Sequence, residues 1–216
     1  MYLSRLLLNP RSRQVQRELA DPYEMHRTVM KAFSDQLAEA ERVLFRVDMH
    51  PRTGISTLLV QSHEKPDWSF LLAPEKNYLL GVENPAVKPV NIALKAGQVL
   101  AFRLRANPTV KKDREGKKQG QRVGLVREEE QLAWLQSKIE AAGGVLVSAH
   151  VAGEANLRGK LFIEKDDERR MRFVSVQFDG ILQVKDPDLL VNTVGAGIGS
   201  GKGLGFGLLS LAPVRG

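Results

Sequence analysis

The sequence contains no cysteine, which excludes disulfides, thiolate zinc sites and a cysteine nucleophile. Long apolar runs are missing as well. The opening MYLSRLLLNPRSR carries an apolar run far too short for a signal-peptide core, and no later segment approaches the ~20 residues that span a bilayer. A soluble, cytoplasmic protein without a membrane partner is the expectation. The four histidines, His26, His50, His63 and His150, are scattered without ligand spacing, so no metal site and no cofactor are expected. A G-x-S-x-G nucleophile elbow is absent too. Two carboxylates paired at catalytic separation stay open, although nothing favours them. Disorder is not the default, because 216 residues at 43% hydrophobic content suffice for one large domain or two small ones.

Positive charge is in excess: 32 Lys and Arg stand against 25 Asp and Glu, a formal +7. Clustered cations displace counterions from phosphates, so a polyanionic partner is implied, but charge alone does not name it.

Residues 2–8, YLSRLLL, read as a strand. Residues 21–40 read as a helix, with Asp21 as N-cap, Pro22 at the first helical position and Glu24 at capping-box spacing. LFRVDMH, STLLVQS and VLAFRLRAN read as three more strands, with a weak helix in NPAVKPVNIALKAG interrupted by Pro89. The first half is thus expected to run β-α-β-β-α-β over residues 1–108. A basic linker or loop, 109–124, separates it from a second half, 125–216. There REEEQLAWLQSKIEAAGG predicts a helix with an acidic first turn and Gly143 as its stop. VLVSAHV, KLFIEK and MRFVSVQF read as strands, the last two facing each other across DDERR, and Asp186 and Pro187 start a short helix before the final strand LLSLA. The fold class that follows is α+β, two ferredoxin-like (RRM-like) β-α-β-β-α-β sandwiches in tandem.

Four features carry candidate chemistry. On the helix from 21, Met25, Val29, Ala32, Phe33 and Gln36 gather on one side, Tyr23, Arg27, Lys31 and Ser34 share the other, and His26 sits at the border. A border histidine, with an ordinary pKa near 6.5, suits proton transfer; the plainer reading is a solvated helix face with a partly packed histidine. GAGIGSGKGLGFG fails as a Walker A loop, because Ala196 replaces the first glycine and Gly203 follows Lys202. Its glycines, Gly199 and Gly201 among them, instead expose backbone N–H groups around Lys202 and allow close approach to a phosphate backbone, unless the loop is merely flexible. In KKDREGKKQGQR, residues 111–122, Lys111, Lys112, Lys117 and Lys118 belong to a cationic run without apolar period, a nucleic-acid contact or a solubilising linker. Arg158 and Lys160 in NLRGK lie two residues apart in an extended segment, where both could enter one groove.

The helix stretch YEMHRTVMKAF, the tandem halves and the ending GIGSGKGLGFGLLSLAP together resemble the CasE-type endoribonucleases of type I-E CRISPR systems, within the RAMP superfamily. The likeness covers essentially the whole chain. It implies metal-independent cleavage of CRISPR repeat RNA at the base of its hairpin: the 2′-hydroxyl attacks the neighbouring phosphate and leaves a 5′-hydroxyl and a 2′,3′-cyclic or 3′-phosphate. The mature crRNA would stay bound within Cascade beside other protein subunits. By the same resemblance His26 is the proton-transfer residue with Tyr23 beside it. Lys31 as stabiliser of the phosphorane charge rests on its place on the helix face, and Arg27 and Ser34 on that face are RNA contacts. Arg158, Lys160 and the basic segment would read an A-form stem by shape and phosphates. Gly203 departs from the family pattern, standing where a bulkier side chain is expected in a relative. One rival reading is a non-catalytic RNA-binding subunit, although RGKLFIEK and VLAFRLRA match aromatic RNP motifs poorly; a second is a purely structural assembly subunit.

Overall fold

The structure, a computed structural model, describes residues 1–34, 42–73, 76–81, 84–112, 121–162 and 168–214. The described residues make an α+β fold with two four-stranded sheets, a two-stranded ribbon and four α-helices. By contacts the chain divides into two units. The first comprises Met1–Asn91, Gly159–Met171 and Gly203–Gly205; the second comprises Ile92–Arg158, Arg172–Lys202 and Phe206–Gly216.

In the first unit the order is β1 (Tyr2–Leu7), α1 (Arg13–Ala20), α2 (Pro22–Met30), β2 (Leu44–Met49), β3 (Ser56–Ser62) and β4 (Ala86–Pro89). The strands form an antiparallel sheet in the order β2-β3-β1-β4, with Leu6 opposite Leu58 and Phe45 opposite Val60. Alternation decides which face is buried: Ser4 and Leu6 point inward while Arg5 is exposed. Val15 of α1 and Met25 and Val29 of α2 close over Leu6, Phe45, Leu58 and Val60 to make the core.

Three sequence expectations change here. The stretch before Asp21 is a helix of its own, α1, started by Ser12, whose Oγ accepts from the Val15 N–H at 3.5 Å. The helix expected to Ala40 ends at Met30, and 35–41 lie outside the described residues. Glu24 closes no capping box, because the Asp21 N–H it would have satisfied already donates to Arg17 O at 3.0 Å. The weak helix at 84–97 is absent. Residues 86–89 pair with β1 as an edge strand instead, where Pro89 at the strand's end interrupts no ladder. Among the described residues the second crossover therefore runs through the 3₁₀ turn Ser69–Leu71 rather than through an α-helix.

The second unit holds β5 (Val99–Ala106), α3 (Glu128–Ala141), β8 (Gly144–Phe162) as far as Arg158, β9 (Glu168–Val184) from Arg172, α4 (Pro187–Ala196) and β10 (Leu209–Pro213), with sheet order β10-β5-β9-β8. That is the ferredoxin-like β-α-β-β-α-β order. β5, read from sequence as the close of the first half, opens the second: Leu104 pairs with Phe178 of β9 and with Leu209 of β10. VLVSAHV and the KLF of KLFIEK, expected as two strands, belong to the single strand β8, and 163–165 lie outside the described residues. DDERR lies partly in β9 and partly outside the described residues. Gly143 stops α3 as expected, at φ +83° and so close to Asp186 that a Cβ would stand 2.8 Å from its carbonyl oxygen. Between β5 and α3, a separate two-stranded ribbon is formed by β6 (Thr109–Lys112) and β7 (Gln121–Gly124), where the sequence suggested only linker. Among the described residues no helix is long and apolar enough to cross a membrane.

Candidate active site on the second helix

Asp21 and Pro22 set the start of α2. The Asp21 carboxylate accepts from the Tyr23 N–H at 2.9 Å, and Pro22 occupies a position whose N–H would have no helical partner. The 3.6-residue period then buries Met25, Thr28 and Val29 against the core and turns the other side outward. On that outer side and in the turn that follows, Tyr23, His26, Arg27, Met30, Lys31, Phe33 and Ser34 line one open depression of about 630 Å³. The structure thus brings together all five polar residues that the sequence singled out on this helix.

His26 is half-buried, with Arg27, Lys31 and Ser34 exposed beside it. The Tyr23 and His26 rings lie 6.5 Å apart between centroids and are tilted by 36°. Burial holds the His26 imidazolium below the usual histidine range, because a charged ring is poorly solvated there. Gly203 stands against the same ring, on the side of Cε1 and Nδ1. Two of the surrounding polar groups are engaged. Arg27 Nη1 donates to Glu24 Oε1 at 3.2 Å, and Ser34 Oγ donates to Glu64 Oε2 at 3.4 Å. The Lys31 ammonium makes no ion pair among the described residues. A depression with a neutral proton acceptor, a phenol and an ammonium can move a proton and offset developing negative charge at one spot.

The glycine-rich segment is packed rather than merely flexible. Gly199, Gly201, Gly205 and Gly207 all have positive φ. A Cβ on Gly199 would stand 3.1 Å from the Trp134 ring, and one on Gly201 would stand 2.9 Å from the Phe206 ring, so glycine is required there by backbone conformation and close approach together. Lys202 turns back onto the end of α4, where its Nζ donates to Ala196 O at 2.8 Å, which caps an orphan helix carbonyl.

The remaining candidates are placed less completely. Lys111 is exposed on β6, directly opposite Arg122 of β7. Arg122 was not singled out from the sequence, and only the ribbon register reveals the pair. Lys112 lies on β6 and Arg158 and Lys160 on β8, each with its side chain outside the described residues, as are Lys117 and Lys118 entirely. Among the described residues no group of three or more His, Asp or Glu side chains is placed to hold a metal ion.

Comparison with known proteins extends this picture to the whole chain. The sequence model of the CRISPR associated protein family matches residues 1–213. The CRISPR-associated endoribonuclease Cse3 of Thermus thermophilus is 42% identical, over 99% of this chain and 100% of its own. The CRISPR system Cascade subunit CasE of Escherichia coli is 32% identical, over 99% and 100% respectively. A solved structure of CRISPR endoribonuclease Cse3 bound to a 19 nt RNA superposes with a TM-score of 0.84 at 38% identity, covering 99% of this chain and 100% of that one. With a match across nearly every residue and two relatives aligned over their full lengths, the chain belongs to the family of CRISPR-associated proteins, in the branch that Cse3 and CasE represent.

Proposed function

We propose that the protein is a metal-independent endoribonuclease that cuts CRISPR repeat RNA at the base of its hairpin and keeps the mature crRNA as a subunit of a Cascade assembly in the cytoplasm. The observation that carries this reading is the half-buried His26 in the depression shared with Tyr23 and Lys31. Its lowered pKa leaves the imidazole neutral at pH 7, the form that accepts a proton. His26 takes the proton of the 2′-hydroxyl as that oxygen bonds to the adjacent phosphorus. The P–O5′ bond breaks, the leaving oxygen gains a proton, and the products are a 2′,3′-cyclic phosphate and a 5′-hydroxyl. Tyr23 offers a phenolic donor near the imidazole, and the Lys31 ammonium offsets charge on the phosphorane. The full-length likeness to an endoribonuclease bound to RNA and to a Cascade subunit supports the substrate and the partners.

The test is cleavage of an end-labelled repeat hairpin RNA in EDTA. The expected result is a single cut below the stem, a 5′-hydroxyl on the downstream product, and no cut when the attacking 2′-hydroxyl is replaced by hydrogen. Loss of activity in EDTA with rescue by a divalent ion would overturn the mechanism.

A further inference from the structure

We propose that Glu18 is a positioning residue for this reaction: its buried carboxylate braces the corner between α1 and α2 and so sets where His26 stands in the depression. The inference rests on the function proposed above. α1 and α2 are joined by Asp21 alone, which ends one helix by donating its N–H to Arg17 O at 3.0 Å and caps the other by accepting from Tyr23 N–H at 2.9 Å. With so short a corner, any rocking there moves α2 as a body and carries Tyr23 and His26 with it.

Glu18 closes the inside of that corner. It is 2% exposed. Its carboxylate accepts from Thr28 Oγ1 across the corner at 2.7 Å, from Gln14 Nε2 one turn earlier at 2.8 Å, and from the Tyr78 hydroxyl. Tyr78 is itself tied down, because its carbonyl oxygen accepts from Asn9 N–H at 2.9 Å, just beyond β1. Its hydroxyl also lies 3.9 Å from Met25 Sδ. Burial first, and then the Glu18 charge, push the Tyr78 phenol far above its ordinary range, so it remains a donor. Met25 and Thr28, which bracket His26 on the buried side of α2, are therefore both seated on this hub.

Among the described residues no cation pairs with Glu18; hydrogen-bond donors alone hold its charge in the interior. Apolar side chains of similar volume would fill this space with less desolvation. What the carboxylate adds is direction: fixed hydrogen bonds to two helices and to the segment at Tyr78. Direction matters most where a neighbour must be held for chemistry, since a misplacement of about 1 Å can cost a hundredfold in rate.

The experiment compares Thr28→Val, which keeps the shape but removes the hydroxyl, with Thr28→Ser, which keeps the hydroxyl but opens a small cavity, and with Glu18→Gln. Single-turnover cleavage of the repeat hairpin is read beside affinity for the same RNA carrying a 2′-deoxy nucleotide at the cut. The brace predicts that Thr28→Val slows cleavage about tenfold or more with affinity unchanged, that Thr28→Ser stays near wild type, and that Glu18→Gln with Thr28→Val is no slower than the worse single variant. Equal losses in Thr28→Val and Thr28→Ser, or wild-type cleavage by folded Thr28→Val, overturn it. If Glu18→Gln does not fold, the two Thr28 variants decide alone. Should the wild-type protein fail to cut any repeat hairpin, the functional reading falls instead. The brace is then judged by NMR of the His26 imidazole, identified through His26→Ala: its signals shift in Thr28→Val and not in Thr28→Ser, and unmoved signals in both refute the brace.

Discussion

Gly203 lies against the edge of the His26 imidazole, where a Cβ would stand 3.6 Å from Cε1 and 3.7 Å from Nδ1 and, among the described residues, would meet nothing else so near. Those are ordinary contact distances, and Gly203 is not in the left-handed backbone region. A methyl group therefore fits without strain, whereas a longer side chain covers the ring nitrogen. Gly203→Ala is expected to melt with the wild type and to cleave within about threefold of it, as surface changes within ~0.5 kcal/mol do. Gly203→Leu is expected to fold equally well and to lose cleavage by about tenfold or more through exclusion of the reacting atoms. Wild-type cleavage by Gly203→Leu would show that this edge of the ring does not face RNA.

The histidine itself gives the second prediction. His26→Ala removes the proposed proton acceptor but leaves Arg27, Lys31 and the rest of the molecule in place. Cleavage should fall by about 10² to 10⁴, the usual worth of a general acid–base group, while affinity for the hairpin stays within a few-fold. Rates and affinities measured on one RNA preparation check both halves. A variant that cleaves at the wild-type rate removes His26 from the chemistry and places the proton transfer elsewhere.

How far the sequence could disclose this arrangement depended on how local each signal was. Asp21 followed by Pro22 announces a helix start wherever it occurs, and the α2 face of Tyr23, His26, Arg27 and Lys31 follows from helical period alone. The end of α2 did not, because the apolar spacing continues through Ala32 and Phe33, which are buried in the turn after the helix. α1 escaped notice because its face is sparse: Val15 and Glu18 are its only buried residues, and a glutamate reads as surface until Thr28 and Tyr78 are seen around it. β5 has a clean alternation, so its identity as a strand was legible. Its partner was not, since pairing with Phe178 spans most of the second half. The approach of Gly203 to His26 joins positions so distant in sequence that no spacing rule reaches it.

Acid should act on both stability and rate through the same ring. Burial lowers the His26 pKa in the folded protein below its ordinary value near 6.5. The unfolded chain therefore binds the proton more readily. The stability contributed by the neutral ring is complete above about pH 6.5 and is lost as pH falls through the folded pKa. Denaturation midpoints of wild type and His26→Gln should converge as pH drops across that window and keep a constant separation above it. Single-turnover cleavage should fall over a lower range, set by the folded pKa. A rate that rises as pH falls below 6.5 would instead make the protonated ring, and so an acid role, the active form.

The cations divide by how they are held. Lys111 stands directly opposite Arg122 on the β6–β7 ribbon. Like charges in that register repel one another, and the strain is relieved when a phosphate lies between them. Neither makes an ion pair among the described residues, and on so narrow a ribbon they are expected to meet backbone charge without reading bases. Arg158, by contrast, lies on β8, a 19-residue strand. The expectation is that Lys111→Ala with Arg122→Ala weakens a repeat hairpin and an unstructured strand alike, and flattens the dependence of log affinity on log salt by roughly 0.7 to 0.9 per lost contact. Arg158→Ala should weaken the hairpin much more than the unstructured strand, because a residue that enters a stem's groove has nothing to enter when the stem is missing. Affinities of both variants for both RNAs across a salt series decide the matter. Equal losses on the two RNAs for Arg158→Ala would remove the groove-reading role, and an unchanged salt slope for the ribbon variant would remove its phosphate contact.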